Sequence, residues 1–495
     1  MANSANSDGA TGKASAASCN DCVVLNNLTD SSCCPTNSSS FTVVNLGCKV
    51  NRAESDYFIE RLSLIGALYV RELTEADLII INTCTVTGEA EAKTRQAIRR
   101  ALAAAGPGAS VVATGCAVQM SDGYYREFGS DLSDLSGLPG STSFPTKRLH
   151  LEADRNKALE LAESLLCDSP SARAILHGPN HSETSKLGAV VQCDSNIQSS
   201  QVALVSSPGD TVSPRPILPA LRKRQVLKIQ DGCDEQCSYC IVSTARGPAR
   251  SLPAHELVKS ACQSAGQGLS ELVLTGINLG KYVSEGLNLS GLMQSILMET
   301  EGMRLRLSSI ESNDITPELL DCIAANKGKV CAHLHMPLQS GSDEVLRRMN
   351  RPYTSGNYME CVKRARNALP GLALSTDIIV GFPGETESDF QRTIRLCEQA
   401  GFMRTHVFRY SLRKGTPAAE MPDQIAPEVK AERSQRLRDL AAQLTRCDLE
   451  RRVGTNEPAV VEEKGWARTE SYHRVAIDPS HQPGETIKYH FPNQL

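Results

Sequence analysis

A repeated alternation of apolar strand patterns and helical patterns constrains the fold of this chain most strongly. Six short apolar runs follow one another between residues 225 and 410, and helical stretches separate them. Strands that alternate with helices form parallel sheets covered by those helices. Because six units fall short of the eight of a closed barrel, we expect a partial (βα)6 barrel with one open side. The predicted strands are Gln225–Gln230, Glu271–Thr275, Arg304–Ser308, Cys331–Met336, Leu372–Val380 and Arg404–Tyr410.

Further strand and helix patterns lie on both sides of these units. Predicted strands at 41–46, 76–81 and 110–113 alternate with predicted helices at 52–64 and 89–104. They indicate a smaller parallel α/β sheet domain before the barrel. Short alternating apolar runs near the C-terminus predict a small β-barrel.

Two regions lack this periodicity. The N-terminal segment is rich in Ser, Asn and Ala, so it buries too little apolar surface to offset its ordering entropy. A middle segment gains Ser, Pro and Gly and keeps one helical pattern near 157–166. We therefore predict a disordered arm (1–40), an N-terminal α/β domain (41–120), a linker or insertion (121–218), a central barrel (219–450) and a small C-terminal β-barrel (451–495).

Cysteine is the outlier of the composition, with 18 in a chain of 495 residues. Disulfides mainly support small cores, and residues 1–40 lack the pattern of a signal peptide. The cysteines therefore predict a cytoplasmic protein in which some thiols bind metal. The arm lacks Arg and contains acids, which argues against a mitochondrial transit peptide and leaves organellar targeting open. No uncharged apolar run reaches the ~18 residues of a membrane helix, so we expect no membrane partner.

Three cysteines occupy equivalent places in the predicted N-terminal sheet. Cys48, Cys84 and Cys116 each follow a strand, and the carboxyl ends of parallel strands meet at one edge of a sheet. A small buried hydrophobe is a fair interpretation of any one cysteine, but it explains three matched placements poorly. Thiolates alone indicate zinc or an iron–sulfur cluster, and three ligands leave one coordination site open.

Three more cysteines follow the first barrel strand with the spacing C-x3-C-x2-C. Cys233, Cys237 and Cys240 can wrap a cubane cluster and hold three of its four irons, which leaves the fourth iron for an external ligand. The alternative is a zinc knuckle, for which the fourth ligand is missing at the usual short spacing.

The cysteine motif after the first barrel strand resembles the radical S-adenosylmethionine (SAM) superfamily. Several further motifs together resemble its methylthiotransferases, and the resemblance covers about residues 41–120 and 221–491. Lys49-Val50 is most similar to the branch that acts on N6-threonylcarbamoyladenosine in tRNA, where the isopentenyladenosine branch usually has Gln-Met and the ribosomal-protein branch Pro-Lys. The motifs are Asn45–Asn51, Asn82-Thr83-Cys84, Gly115-Cys116-Ala117, Arg246-Gly247-x-x-Arg250-Ser251, Leu338–Ser342 and Asp377–Glu385.

This resemblance implies two [4Fe-4S] clusters and SAM as cofactors, with all six cysteines in catalytic roles. The cluster of Cys233, Cys237 and Cys240 would bind and reduce SAM, and the resulting 5′-deoxyadenosyl radical would abstract hydrogen. The auxiliary cluster of Cys48, Cys84 and Cys116 would carry the sulfur. An electron donor and a sulfur donor are the implied partners besides tRNA, and the oligomeric state is left open.

Loops at the same end of the barrel are expected to hold SAM. Taken alone, each candidate also suits ordinary turn chemistry, but all follow barrel strands at one rim. The SAM-binding candidates are Tyr239, Gly276, Asn278, Glu311, Gln339, Ser340 and Gly381.

Binding of tRNA requires local basic patches, because 52 Lys and Arg face 56 Asp and Glu and give a net charge of −4. The C-terminal segment resembles a TRAM domain, an RNA-binding β-barrel. Its Trp466, Tyr472 and His473 either stack on bases or fill a small core. The basic candidates are Lys93, Arg95, Arg99, Arg100, Arg222, Lys223, Arg224, Arg404, Arg409, Arg413, Lys414, Arg446, Arg451 and Arg452.

The leading hypothesis is a radical SAM enzyme that inserts a methylthio group at C2 of N6-threonylcarbamoyladenosine beside the anticodon. The same chemistry on isopentenyladenosine in tRNA, or on an aspartate of a ribosomal protein, is the nearest alternative. A zinc-bound RNA-binding protein without catalysis is the alternative from a different class.

Overall fold

The computed structural model describes residues 39–85, 88–120, 149–167 and 224–492. Nearly all of the predicted disordered arm and most of the predicted linker lie outside these ranges. Within them, no helix is both long enough and apolar enough to cross a membrane.

Five parallel strands form the N-terminal sheet in the order β2-β1-β3-β4-β5 once they are numbered along the chain. They are β1 (Ser40–Asn45), β2 (Leu68–Tyr69), β3 (Leu78–Thr83), β4 (Ser110–Gly115) and β5 (Leu149–Leu151). The central strand β3 is buried along its whole length because helices cover both faces. Ile80 packs with helices 49–64 and 155–167, whereas Ile79 and Ile81 pack with helix 88–104.

The last strand of this sheet corrects a predicted boundary. β5 pairs with β4 in parallel, and Ala158, Ala162 and Leu166 of the following helix are buried in the same core. Residues 149–167 therefore belong to the N-terminal domain, so the prediction of a linker or insertion over 121–218 was wrong for this part. The strand was missed because its three residues are too few to establish a periodicity.

Ten strands follow in the central part of the chain. Six of them form two parallel sheets, β12-β9-β6 and β13-β14-β15, and parallel bridges Leu305–Val330 and Ser309–His335 connect the two. Within the described residues, no backbone ladder joins β6 to β15. The strands are β6 (Arg224–Lys228), β7 (Gln230–Asp231), β8 (Arg250–Ser251), β9 (Glu271–Thr275), β10 (Val283–Ser284), β11 (Leu287–Asn288), β12 (Arg304–Leu307), β13 (His333–His335), β14 (Ala373–Val380) and β15 (Arg404–Arg409).

The strands of the two parallel sheets have two different faces, as β12 shows. In β12, Leu305 and Leu307 belong to the main core beneath the helices. Arg304 and Arg306 point the other way, since successive side chains of a strand alternate. Both arginines form salt bridges with Glu271 of β9. We call the surface that carries these charged side chains the inner face of the six strands.

Thirteen α-helices are described, and their bounds agree closely with the predicted ones where a prediction was made. They are α1 (Lys49–Leu64), α2 (Gly88–Ala104), α3 (Cys116–Met120), α4 (Arg155–Cys167), α5 (Val242–Arg246), α6 (Ala254–Gly266), α7 (Leu289–Glu299), α8 (Pro317–Ala325), α9 (Asp343–Arg348), α10 (Ser355–Ala368), α11 (Glu387–Ala400), α12 (Pro417–Glu420) and α13 (Pro427–Arg452).

Four antiparallel strands close the described chain in the order β18-β17-β16-β19. They are β16 (Asn456–Glu463), β17 (Trp466–Thr469), β18 (Arg474–Ala476) and β19 (Thr486–His490). This sheet contacts the beginning of the barrel strands, because Arg306 donates hydrogen bonds to the carbonyls of Thr469 (3.0 Å) and Glu470 (2.9 Å). The C-terminal sheet therefore lies at the end of the inner face opposite the strand carboxyl ends.

Candidate active site

Cys48, Cys84 and Cys116, which we call the strand triad, lie at the carboxyl ends of three neighbouring strands. Cys48 follows β1 and precedes α1, Cys84 directly follows β3, and Cys116 follows β4 as the first residue of α3. Gly47 has φ +104°, and a Cβ there would lie 2.7 Å from the Cys84 Sγ. Only glycine therefore lets the first loop pass this close to the second thiol.

A buried pair of amides fixes the loops of the strand triad. The Asn51 side chain donates to the carbonyls of Leu46 and Thr83, both at 2.8 Å. In return, the Asn82 side chain donates to the Asn51 carbonyl at 2.9 Å. Both asparagines are almost fully buried, so these bonds hold the ends of β1 and β3 in register.

Cys233, Cys237 and Cys240, which we call the loop triad, come from one segment after β7. Each sulfur accepts one hydrogen bond: backbone N–H groups two residues further on donate to Cys233 and Cys240 at 3.4 Å, and Arg351 donates to Cys237 at 3.2 Å. Burial raises the pKa of Cys240 to about 12. The free Cys240 thiol therefore keeps its proton, whereas a bound metal would displace it.

Arg246 connects the surroundings of the two triads. Its guanidinium donates to Asn51 (2.6 Å) and Glu54 (2.9 Å) of α1 and to Asp231 (2.9 Å), two residues before Cys233. Only 6% of Arg246 is exposed. The short helix that ends at Arg246 also packs against α3, which begins at Cys116. One buried cation therefore ties the N-terminal sheet to the loop triad.

Two more cations complete this buried network. Arg155 pairs with Glu54 at 2.8 Å and also donates to the Cys116 sulfur at 3.6 Å, and Lys228 pairs with Glu54 at 3.2 Å. Burial opposes ionisation of Glu54, but Lys228, Arg155 and Arg246 together lower its pKa to about 2. Glu54 is therefore held as a carboxylate between the two triads.

A cleft beside the loop triad contains Glu311, one of the predicted SAM-binding residues. Glu311 pairs with Arg351 and lines the cleft, which Tyr353 and Lys281 also border. Burial raises the pKa of Glu311. Tyr239, another candidate, lies within electrostatic range of Arg351 and packs partly buried in a small apolar cluster. Charged and aromatic groups therefore converge beside the loop triad.

Gly276 and Asn278 contact Gln230 at the end of β9. A Cβ on Gly276 would lie 2.9 Å from the Gln230 Oε1, so the glycine allows close packing. The Asn278 N–H donates to the same oxygen at 2.8 Å, and its own side-chain Oδ1 is buried without a hydrogen-bond partner. Asn278 thus retains a buried acceptor for a bound molecule.

The remaining candidates make contacts within the protein. Gln339 has φ +68° and bonds through its backbone to β14, and Ser340 is fully buried beside Thr393. Gly381 has φ +71°, and a Cβ there would lie 2.3 Å from the Lys430 side chain. These three residues shape the turns at the rim.

The inner face brings together titratable side chains whose meeting the sequence did not predict. His335 Nε2 and His406 Nδ1 lie 3.2 and 3.0 Å from the two carboxylate oxygens of Asp377. Burial opposes ionisation of Asp377, but the two histidines lower its pKa below the usual range. His335 also contacts the Ser375 hydroxyl at 2.9 Å, which orients its ring.

The three aromatic candidates for RNA binding have different surroundings. Trp466 is 39% exposed and stacks with Arg474, whereas His473 is buried and bonds to Asp448 at 2.9 Å. The Tyr472 ring stacks on His333 of the inner face, with centroids 4.8 Å apart. Of the three, Trp466 is therefore the one that offers an open aromatic surface.

Several predicted RNA-binding arginines are engaged in ion pairs, which lowers their capacity to meet phosphates. Arg222 and Lys223 lie outside the described residues. The paired ones are Arg95, Arg224, Arg413, Arg451 and Arg452.

Arg155, Glu54 and Arg351 are parts of the site that the sequence did not indicate. Arg155 was missed because its helix was interpreted as part of a linker. Glu54 and Arg351 carry no spacing signal, since their partners lie far away in sequence.

Two protein-family models match this chain. Residues 227–397 match the Radical SAM superfamily, and residues 40–130 match the uncharacterized protein family UPF0004. The fold and the cysteine sites therefore define a radical SAM protein with an additional N-terminal domain.

Curated relatives narrow this class. A threonylcarbamoyladenosine tRNA methylthiotransferase MtaB of Bacillus subtilis (strain 168) is 36% identical over 81% of this chain and 80% of its own length. The protein of the same name from Treponema pallidum (strain Nichols) is 34% identical over 88% and 94%. A tRNA-2-methylthio-N(6)-dimethylallyladenosine synthase of Moorella thermoacetica is 30% identical over 86% and 87%. The chain belongs to the radical SAM methylthiotransferase family, which confirms the resemblance seen in the motifs.

Proposed function

We propose that this chain is the enzyme that adds a methylthio group to C2 of N6-threonylcarbamoyladenosine beside the anticodon of tRNA. The observation that carries the proposal is the pair of thiol triads joined by the buried Arg246 network. The name and the higher identity of the first relatives support the threonylcarbamoyl substrate over the dimethylallyl one.

Both triads suit [4Fe-4S] clusters. Each offers three thiols, and N–H groups point at every sulfur of the loop triad. The loop triad would hold the SAM-binding cluster and the strand triad the auxiliary one. When bound, these groups supply the reductive cleavage of SAM and the transferred sulfur, chemistry that no side chain provides.

The residues of the chain orient and shield these groups. Arg351 donates to Cys237 and pairs with Glu311, so the Glu311 carboxylate stays fixed at the edge of the cleft. The free Asn278 Oδ1 and Glu311 can accept hydrogen bonds from SAM. Tyr239 packs against the rim of the barrel and excludes water from the loop triad.

We assign domains accordingly, each as part of the proposal. Residues 39–85, 88–120 and 149–167 would form the auxiliary-cluster domain, 224–452 a partial (βα)6 barrel, and 453–492 a TRAM-like RNA-binding domain that presents Trp466 to tRNA. An external electron donor and a sulfur donor are required by the chemistry. A location in the cytoplasm would suit the tRNA substrate.

Anaerobic reconstitution and nucleoside mass spectrometry test this function. We expect about eight irons per chain and conversion of threonylcarbamoyladenosine in tRNA to its 2-methylthio form. Cys84→Ala should abolish methylthiolation and keep SAM cleavage, because the loop triad is intact. Cys322→Ala is the matched control, since Cys322 is about as buried but lies in the main core. Stoichiometric zinc without iron, or full methylthiolation by Cys84→Ala, would refute the proposal.

A further inference from the structure

Lys49 extends from the strand triad onto the inner face of the barrel. It follows Cys48 directly as the first residue of α1, and its ammonium lies 5.6 Å from the centre of the Tyr472 ring. Tyr472 in turn stacks on His333 of β13. Asp377 of β14 is also within electrostatic range of Lys49. The side chain thus spans from the proposed auxiliary cluster to the bottom of the barrel.

Lys49 differs from the neighbouring cations because it lacks an anionic partner. Arg224 and Arg306 pair with Glu271, and Arg468 pairs with Glu462. Among the described residues, the Lys49 ammonium forms no ion pair and no hydrogen bond. A sheltered charge without a partner is unfavourable, so an anion that reached this position would be stabilised.

A second group at the same place also lacks a partner. His333 is 2% exposed, and its Nδ1 has no hydrogen-bond partner, while its Nε2 contacts the Ser375 hydroxyl at 3.0 Å. Buried polar atoms are rarely left in this state unless a water or a ligand completes them. The phenol of Tyr472 adds a third polar group next to Lys49 and His333.

The N6 substituent of the proposed substrate ends in an anion and begins close to C2, the atom that reacts. In an adenine, C2 and C6 flank the same ring nitrogen, and C6 carries the N6 substituent, so this substituent begins close to C2. A base with C2 at the strand triad and its N6 substituent turned toward α1 would bring this substituent near Lys49, the residue next to Cys48. The threonylcarbamoyl substituent ends in a carboxylate and a hydroxyl, whereas an isoprenoid substituent is neutral and apolar.

We propose that Lys49, together with Tyr472 and His333, binds the carboxylate of the N6 substituent and so selects adenosines with an anionic substituent. This inference rests on the proposed function and adds the residues that determine its specificity. A charge-assisted bond between Lys49 and the carboxylate would be lost with a neutral substituent of equal size.

The test measures binding of anticodon stem-loop RNAs to the anaerobically reconstituted holoenzyme by fluorescence anisotropy. The stem-loops carry threonylcarbamoyladenosine, its methyl ester, isopentenyladenosine or unmodified adenosine. We expect the free acid to bind about 10- to 100-fold more tightly than the methyl ester, as the loss of one hydrogen bond to a charged group implies. Equal affinity of the wild-type protein for acid and ester would overturn the inference without any variant.

Substitutions test which residue causes the preference for the free acid over its methyl ester. Lys49→Gln should reduce the ratio of acid to ester affinity to near one, and Lys49→Arg should keep most of it. Lys363→Gln, on an exposed helix position, is the matched control for loss of one positive charge and should keep the full ratio. If Lys49→Gln keeps the wild-type ratio, Lys49 does not bind the carboxylate. If Lys49→Gln loses its iron, Tyr472→Phe is compared with the wild-type protein instead. We expect this variant to reduce the ratio of acid to ester affinity less than Lys49→Gln would. An unchanged ratio would count against the proposed pocket of Lys49, Tyr472 and His333.

Failure of the proposed function gives a different result. The wild-type holoenzyme would then leave the threonylcarbamoyl stem-loop unmodified while it methylthiolates the isopentenyl stem-loop. Methylthiolation of the threonylcarbamoyl stem-loop with equal affinity for its ester would reject only the Lys49 pocket.

Discussion

The strand triad and the loop triad offer the same three thiols but are assembled in different ways. The loop triad lies within residues 233–240, so the backbone of one segment sets its spacing. The strand triad extends from residue 48 to residue 116 and exists only where three parallel strands end side by side. Its geometry therefore depends on tertiary structure: on Gly47, on the asparagine pair and on Arg246. This difference predicts that packing changes disturb the strand triad first.

The largest effect is expected from Arg246→Met, which removes the buried link between the two regions. Glu54 and Asp231 would lose a shared partner and keep Lys228, and removal of one partner from a buried ion pair costs at most about 3–5 kcal/mol. We expect the free energy of unfolding to fall by up to this amount and the iron content of the strand triad to drop more than that of the loop triad. Denaturant unfolding and Mössbauer spectra of both clusters measure the two effects.

Arg250→Met is the matched control for this variant. Arg250 belongs to the same sequence motif and lies 3.8 Å from Asp231, but 60% of its side chain is exposed. Exposed ion pairs contribute about 0–1 kcal/mol, so little change is expected. Equal losses from both variants, or equal iron loss at both triads, would show that Arg246 does not couple the two regions.

A smaller effect is expected from Gly47→Ala, which acts on the strand triad alone. The new Cβ would lie 2.6 Å from the Cys84 Cβ, and the positive φ is itself unfavourable for alanine. We expect a destabilisation of about 1–3 kcal/mol and loss of methylthiolation, with SAM cleavage retained. Activity assays on the two half-reactions separate these outcomes.

Gly268→Ala controls for backbone strain in this experiment. Gly268 has φ +74°, but no atom of another residue lies within 4 Å of the position that a Cβ would take there. The variant should therefore show the cost of positive φ without the clash, about 1 kcal/mol, and keep both half-reactions. If Gly47→Ala retains methylthiolation, the close approach of Gly47 to Cys84 is not required.

The contrast between the two triads also explains how much of the fold and of the site could be predicted from the sequence. The loop triad was readable from spacing alone, and the six barrel strands from apolar alternation. The thiols of the strand triad were predictable because parallel strands place their carboxyl ends together. Arg155, Glu54 and Arg351 were not, because their roles arise from contacts between residues distant in sequence. Short β5 was missed because three residues carry too little periodicity.

The smallest effect is expected from Arg351→Lys, which acts on the loop triad alone. Lysine keeps a cation for Glu311 but cannot reproduce the N–H that Arg351 donates to Cys237 at 3.2 Å. Stability should fall by only about 1 kcal/mol. Hydrogen bonds to cluster sulfurs tune the reduction potential, so the loss of this bond should lower the potential of the SAM-binding cluster and make its reduction by the electron donor harder. Redox titration followed by electron paramagnetic resonance measures this shift.

Arg347→Lys, at an exposed pair with Glu344, is the control for Arg351→Lys and should leave both clusters unchanged. Arg347 lies on α9, and its partner is three residues away on the same helix, so its replacement leaves the cysteine loop untouched. A shift confined to the auxiliary cluster in Arg351→Lys would contradict the assignment of Arg351 to the loop triad. It would also contradict the view that one local segment builds the loop triad whereas the tertiary fold builds the strand triad.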